Sequence, residues 1–114
     1  GNNNVELFFD KYEDAVFNYD FKYNLIKFND SGTTIANNKD YDFIRNQTEG
    51  NIKNKNPNFF DINNNLLNID DTSGAFQKGS AIYLVPTDVN GNLRTSNPPD
   101  MGAYQSAPFP VKGN

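Results

Sequence analysis

Asp88-Val89-Asn90-Gly91-Asn92-Leu93-Arg94, followed after a short spacer by Pro99-Asp100-Met101-Gly102-Ala103-Tyr104-Gln105, is the stretch from which the fold is read. Gly91 and Gly102 allow backbone conformations or close approaches that a Cβ would obstruct. Arg94 is one of only two arginines in the chain. Its planar fork of donors suits a carboxylate such as Asp100 or Asp88, and that contact would tie a final loop to the structure before it. Tyr104 can cover the end of a core with its ring while its hydroxyl stays near solvent. Together Asp88, Gly91, Arg94, Asp100, Gly102 and Tyr104 read as a structural cap. A ligand contact by Arg94 is the alternative. The Asp88-x-Asn90-x-Asn92 spacing imitates the first half of a calcium loop. Leu93 then stands where the sharp-turn glycine belongs and Pro99 where the bidentate Glu belongs, so no metal is expected.

Working back from that stretch, Ala81-Ile82-Tyr83-Leu84-Val85 is the most continuous apolar run. Two-sided hydrophobicity of this kind predicts a strand buried on both faces, closed by Pro86. Phe17, Tyr19, Phe21, Tyr23 and Leu25 alternate with polar residues, the period of two of a half-buried strand. The apolar phase shifts after Leu25, which predicts a bend or bulge near Asn24. The aromatic row reads as core, with a sugar-stacking platform as the alternative should it face solvent. Tyr12 and Tyr41 stand among charges and are candidates for exposed aromatics. Val5 to Phe9 predicts a short strand, 10–14 a polar loop or one helical turn, and 29–40 a surface loop with little to bury. Tyr41, Phe43 and Ile44, residues 50–53 and residues 101–105 read as further short strands. Asn56-Pro57 and 70–74 are turns, and Pro108 and Pro110 help to end a sheet.

Composition bounds the chemistry. The 114 residues contain no cysteine and no histidine and carry a net charge of −4. Disulfides, thiolate zinc sites and every Ser-His or Cys-His nucleophile are excluded. No basic run is present, so nucleic acid is not an expected partner. No stretch is apolar for long enough to span a bilayer. Asparagine is over-used beside Phe, Tyr, Ile and Lys; it tolerates left-handed backbone at turns, and an AT-rich genome would give the same bias. Helix formers are scarce and strand-favouring aromatics plentiful, which predicts an all-β chain rich in turns. Length fits one domain over 1–114. Gly1, in place of an initiator Met, reads as an expression scar before a mature or excised segment.

The two motifs at 88–94 and 99–105 resemble the closing motif of right-handed parallel β-helix proteins, approximately D-x-[DN]-G-x-x-R, a spacer, then P-D-I-G-A-Y-E. That motif ends many exported surface proteins of Bacteroidetes-type and related bacteria. Asn56-Pro57-x-Phe59 with Asp61 is similar to the step these proteins place before their last coils, and Ser73-Gly74-Ala75-Phe76 with Gly79 sits where they carry S-P-A-I and a glycine. Met101, Gln105, Gly74 and Phe76 depart from the pattern. The resemblance implies a pectin-lyase-like parallel β-helix, with irregular coils over 5–85 and a cap over 86–114. It also implies a secreted or cell-surface location and polysaccharide-rich surroundings.

The function expected on this basis is that of a non-catalytic structural or adhesive module, without a cofactor. The alternatives are a carbohydrate-binding module, or the remnant of a polysaccharide lyase or hydrolase whose catalytic coils are absent. Lys53, Lys55 and Lys78 are available as proton abstractors for a lyase, and Asp70-Asp71 and Asp40-x-Asp42 as carboxylate pairs. Such pairs beside turn residues read first as local hydrogen-bonding groups. An open sheet edge near the N-terminal segment would permit weak self-association.

Overall fold

The computed structural model describes residues 4–10, 16, 18–94 and 98–111. The expectations for 11–14, Tyr12 and Phe17 lie outside the described residues. Chain contacts group into two units, Gly1–Asn54 and Lys55–Asn114.

The expected parallel β-helix, with pectin-lyase-like coils over 5–85, is not formed. Among the described residues, regular strand is confined to β1 (Leu25–Ile26) and β2 (Ile52–Lys53), which pair in parallel with Leu25 opposite Ile52 and Ile26 opposite Lys53. The isolated bridges Val5–Phe28, Asp61–Leu66 and Thr87–Leu93 are antiparallel. The physical reason lies in the backbone. Tyr23, Gln47, Glu49, Asn54, Asn58, Asn65 and Gln77 all hold positive φ, between 49° and 60°. Each left-handed residue redirects the chain before a ladder can extend. Asn and Asp side chains then take up backbone groups that a ladder would have paired.

In the first unit the core is Phe28, Ile35, Tyr41 and Ile44, with Val5, Leu7, Phe9, Ile26 and Phe43 packed around it. Tyr41 and Ile44 belong to a helical segment where a strand was expected. A 3-10 turn at Lys39–Tyr41 leads into α1 (Asp42–Arg45). Asn38 caps the turn by accepting the Asp40 N–H, and Asp42 and Arg45 carry the charges that suit the two ends. Tyr41 and Ile44 are three residues apart, which is a helical face, and both are 1 % exposed. Tyr41, a candidate for exposure, is thus among the most buried residues. The 29–40 segment is a loop only as far as Asn38, after which the 3-10 turn begins, and it buries Ile35.

The second unit has a core of small and polar groups. Ile69, Ala75 and Met101 are its buried hydrophobic residues, accompanied by buried Ser73, Ser80, Asp88 and Asp100. Ala81–Val85 is not a buried strand: Ile82 is 84 % exposed and Val85 63 %. The Ser80 hydroxyl accepts the Ile82 N–H and turns the chain there. Met101–Gln105 likewise forms no strand. Its segment is held by single bonds, from the Met101 N–H to the Ala75 carbonyl oxygen at 3.0 Å and from the Val89 N–H to the Ala103 carbonyl oxygen at 2.9 Å.

Candidate functional site

The site begins with a loop. Asp88 donates its N–H to the Asn92 carbonyl oxygen at 2.9 Å, and the Gly91 N–H donates to the Asp88 carbonyl oxygen at 3.0 Å. Gly91 stands at φ 80° with open space where a Cβ would lie, so glycine is required there by conformation and not by crowding. Gly102, at φ 91°, is the same case.

The Asp88 carboxylate fills this loop. Its Oδ1 accepts the N–H groups of Asn90 at 2.9 Å and Asn92 at 2.8 Å. Its Oδ2 accepts the Gln105 N–H at 2.9 Å and the Asn92 side-chain amide at 3.3 Å. The donors hold the charged form, the Gln105 N–H most strongly, and keep the Asp88 carboxyl below the usual range against the opposing effect of burial. Asp100 repeats the device. Its Oδ1 accepts the Gln77 N–H at 2.7 Å and its Oδ2 the Ser106 N–H at 2.7 Å. Two carboxylates therefore fix residues 105 and 106, and the Ala107 N–H continues the attachment to the Ile69 carbonyl oxygen at 3.1 Å.

Arg94 does not fork onto either acid. Its Nη2 donates to the Gly102 carbonyl oxygen at 2.7 Å. Its Nη1 is enclosed without a partner among the described residues. The carboxylates accept backbone donors instead. Tyr104 is half-buried. Of the six residues of the expected cap, Asp88 and Gly91 share one loop and Arg94 bonds to Gly102, while the two acids hold residues 105 and 106. Gly79 adds a close approach: a Cβ there would come within 2.9 Å of the Asp100 carbonyl oxygen, and its N–H donates to the Pro99 carbonyl oxygen at 2.7 Å.

The carboxylate pairs weighed as acid and base have local partners. Asp70 accepts the Thr72 N–H at 2.9 Å, and Asp42 pairs with Arg45 at 2.7 Å. Among the described residues no group of three His, Cys, Asp or Glu side chains could hold a metal ion. The Asp88 lone pairs that a calcium ion would use already receive N–H groups. An open cleft of about 560 Å³ lies between Asp70, Asp71, Phe76, Ser106, Pro108 and Phe109.

Two features of the first unit were not anticipated. Arg45 donates through Nε to Asp30 at 2.7 Å, through Nη1 to Asp42 and the Asn38 carbonyl oxygen, and through Nη2 to the Ile35 carbonyl oxygen. Its bond to Asp30 lowers that carboxyl from the usual 3.8 and raises the guanidinium in turn. Asn51, 2 % exposed, donates to the carbonyl oxygens of Phe21 and Thr48 and accepts the Asn24 N–H. Of the aromatic row, Tyr19 and Phe21 pack with Phe9 and Phe43 and are neither fully core nor fully open. Phe9, Tyr19, Phe21 and Phe43 have ring centroids 5.1–6.0 Å apart, and Tyr19 is 42 % exposed.

No family model, no curated protein and no solved structure matches this chain.

Proposed function

We propose that this chain is a non-catalytic structural module of an exported or cell-surface bacterial protein, and that its C-terminal segment closes the domain. One observation carries the reading: the Asp88 and Asp100 carboxylates, the best-placed acids of the second unit, are both engaged by main-chain N–H groups from Gln77, Asn90, Asn92, Gln105 and Ser106. A general acid or base needs a proton to exchange with a substrate. A carboxylate whose oxygens accept backbone donors is suited to holding the chain. The sequence likeness of 88–105 to a closing motif of exported surface proteins supports the location.

The test joins two measurements. Asp88→Asn and Asp100→Asn should each lower the thermal midpoint. The wild-type chain should release no unsaturated uronate from polyuronates with added calcium, followed by absorbance. Product from the wild-type chain, or unchanged stability in both variants, would overturn the reading.

The rings of Phe9, Tyr19, Phe21 and Phe43 favour a second reading, carbohydrate binding by stacking on the exposed Tyr19 ring. A glycan array should then show signal that Tyr19→Ala removes. Uniform silence at array sensitivity would dismiss it.

A further inference from the structure

Asparagine occurs throughout the chain, but only Asn90 is followed by glycine. The difference is chemical. An asparagine deamidates when the nitrogen of the next residue attacks its side-chain amide carbon, and any side chain on that next residue obstructs the approach. Elsewhere the following residue is bulky, β-branched, charged or proline, or another amide such as Asn38 after Asn37. Asn90 is exposed, and the Gly91 Cα has open space on its Cβ side.

The folded loop works against the reaction. The Gly91 N–H donates to the Asp88 carbonyl oxygen at 3.0 Å. A hydrogen-bonded N–H is harder to deprotonate. The Asp88 carboxylate keeps the loop in that form by accepting the N–H groups on both sides, Asn90 and Asn92.

We propose that Asn90 is the deamidation site of this protein and that the Asp88 carboxylate gates it. When the loop opens, the Gly91 nitrogen loses its proton and bonds to the Asn90 Cγ. The bond from Cγ to the side-chain nitrogen breaks, and ammonia leaves carrying the proton. Water, the only co-reactant, opens the resulting five-membered imide to aspartate or isoaspartate. Neither oxidant nor reductant is involved. The isoaspartyl product places an extra carbon in the main chain and a new carboxylate beside Asp88, in the loop that holds the Gln105 N–H. The modification therefore loosens the C-terminal attachment in one direction only.

The experiment is peptide mapping by mass spectrometry of the full chain held at mildly alkaline pH. It compares wild type in native buffer, wild type in guanidinium, and Asp88→Asn in native buffer. Asn90 should be the first residue to exchange its side-chain NH2 for oxygen. The native chain should react at least about tenfold more slowly than the denatured one, the ratio that about 1.4 kcal/mol of loop closure gives. Asp88→Asn should recover much of that difference. If Asp88→Asn does not fold, the native and denatured wild-type rates still test the gate. Modification first at another asparagine of the denatured chain, or equal rates in the native and denatured wild type, would overturn the proposal.

Discussion

Asn51 illustrates how a single side chain can organise an irregular chain. Carried to 2 % exposure, its amide must satisfy both donors and its acceptor inside the protein. It does so with the Phe21 and Thr48 carbonyl oxygens and the Asn24 backbone, which places it at the entry to β1 and beside β2. Asn51→Asp removes both donors, so the Phe21 carbonyl loses this bond while the Thr48 carbonyl keeps the Asn51 N–H; the change should cost about 1–3 kcal/mol in urea unfolding. Arg45 does comparable work with its guanidinium, joining Asp30, Ile35, Asn38 and Asp42. Arg45→Lys keeps the charge but cannot reproduce four directed bonds. It should lower the thermal midpoint more than alanine at the exposed Lys39 does. Equal effects would show that charge alone is what matters at position 45.

At the scale of elements, the places where sequence pattern misleads have different causes. Tyr41, Phe43 and Ile44 are compatible with either a strand or a helical turn, and a run so short cannot decide between periods of two and 3.6. The Asn38 cap and the charges of Asp42 and Arg45 were the available helix signals. For Ala81–Val85, apolar content predicted burial, but a continuous run carries no information about which face is covered. Ser80 and Pro86 turn the chain at its ends, and Ile82 faces solvent. Two substitutions separate these elements. Ile44→Ala, in α1, should cost about 2–5 kcal/mol because it empties a filled site. Ile82→Ser should change stability by less than about 0.5 kcal/mol. Denaturant midpoints measure both, and a large loss at Ile82 would contradict the exposed placement. The loop that leads to Lys39 and the strand at Ile52–Lys53, within 50–53, were legible because Gly, Asn and Asp at turns have local causes. The partners of Asp88 and Asp100 were not, because backbone N–H groups leave no mark in a sequence.

For the whole molecule, side chain-to-backbone bonds replace the ladders that a β-helix would have supplied, and many of them end on carboxylates. Each unit contains one whose pKa is lowered, Asp30 through Arg45 and Asp88 through the Gln105 N–H. A lowered folded pKa means that the unfolded chain binds more protons in that range, so stability rises with pH there. The contribution is complete above the usual carboxylate value of 3.8 and is lost as pH falls through the lower folded values. Thermal midpoints should therefore hold level near neutrality and decline on acidification. The decline should be smaller in Asp88→Asn, which has already lost one such group. An identical acid decline in wild type and variant would remove Asp88 from the account.

The attachment of the C-terminal segment by two buried acids is most directly tested by amide hydrogen exchange in the full chain. The Gln105 and Ser106 amides should be protected in the wild type. Asp88→Ala should release Gln105, and Asp100→Ala should release Ser106 together with Gln77. Rapid exchange of both amides in the unaltered protein would mean that the carboxylates do not hold this segment.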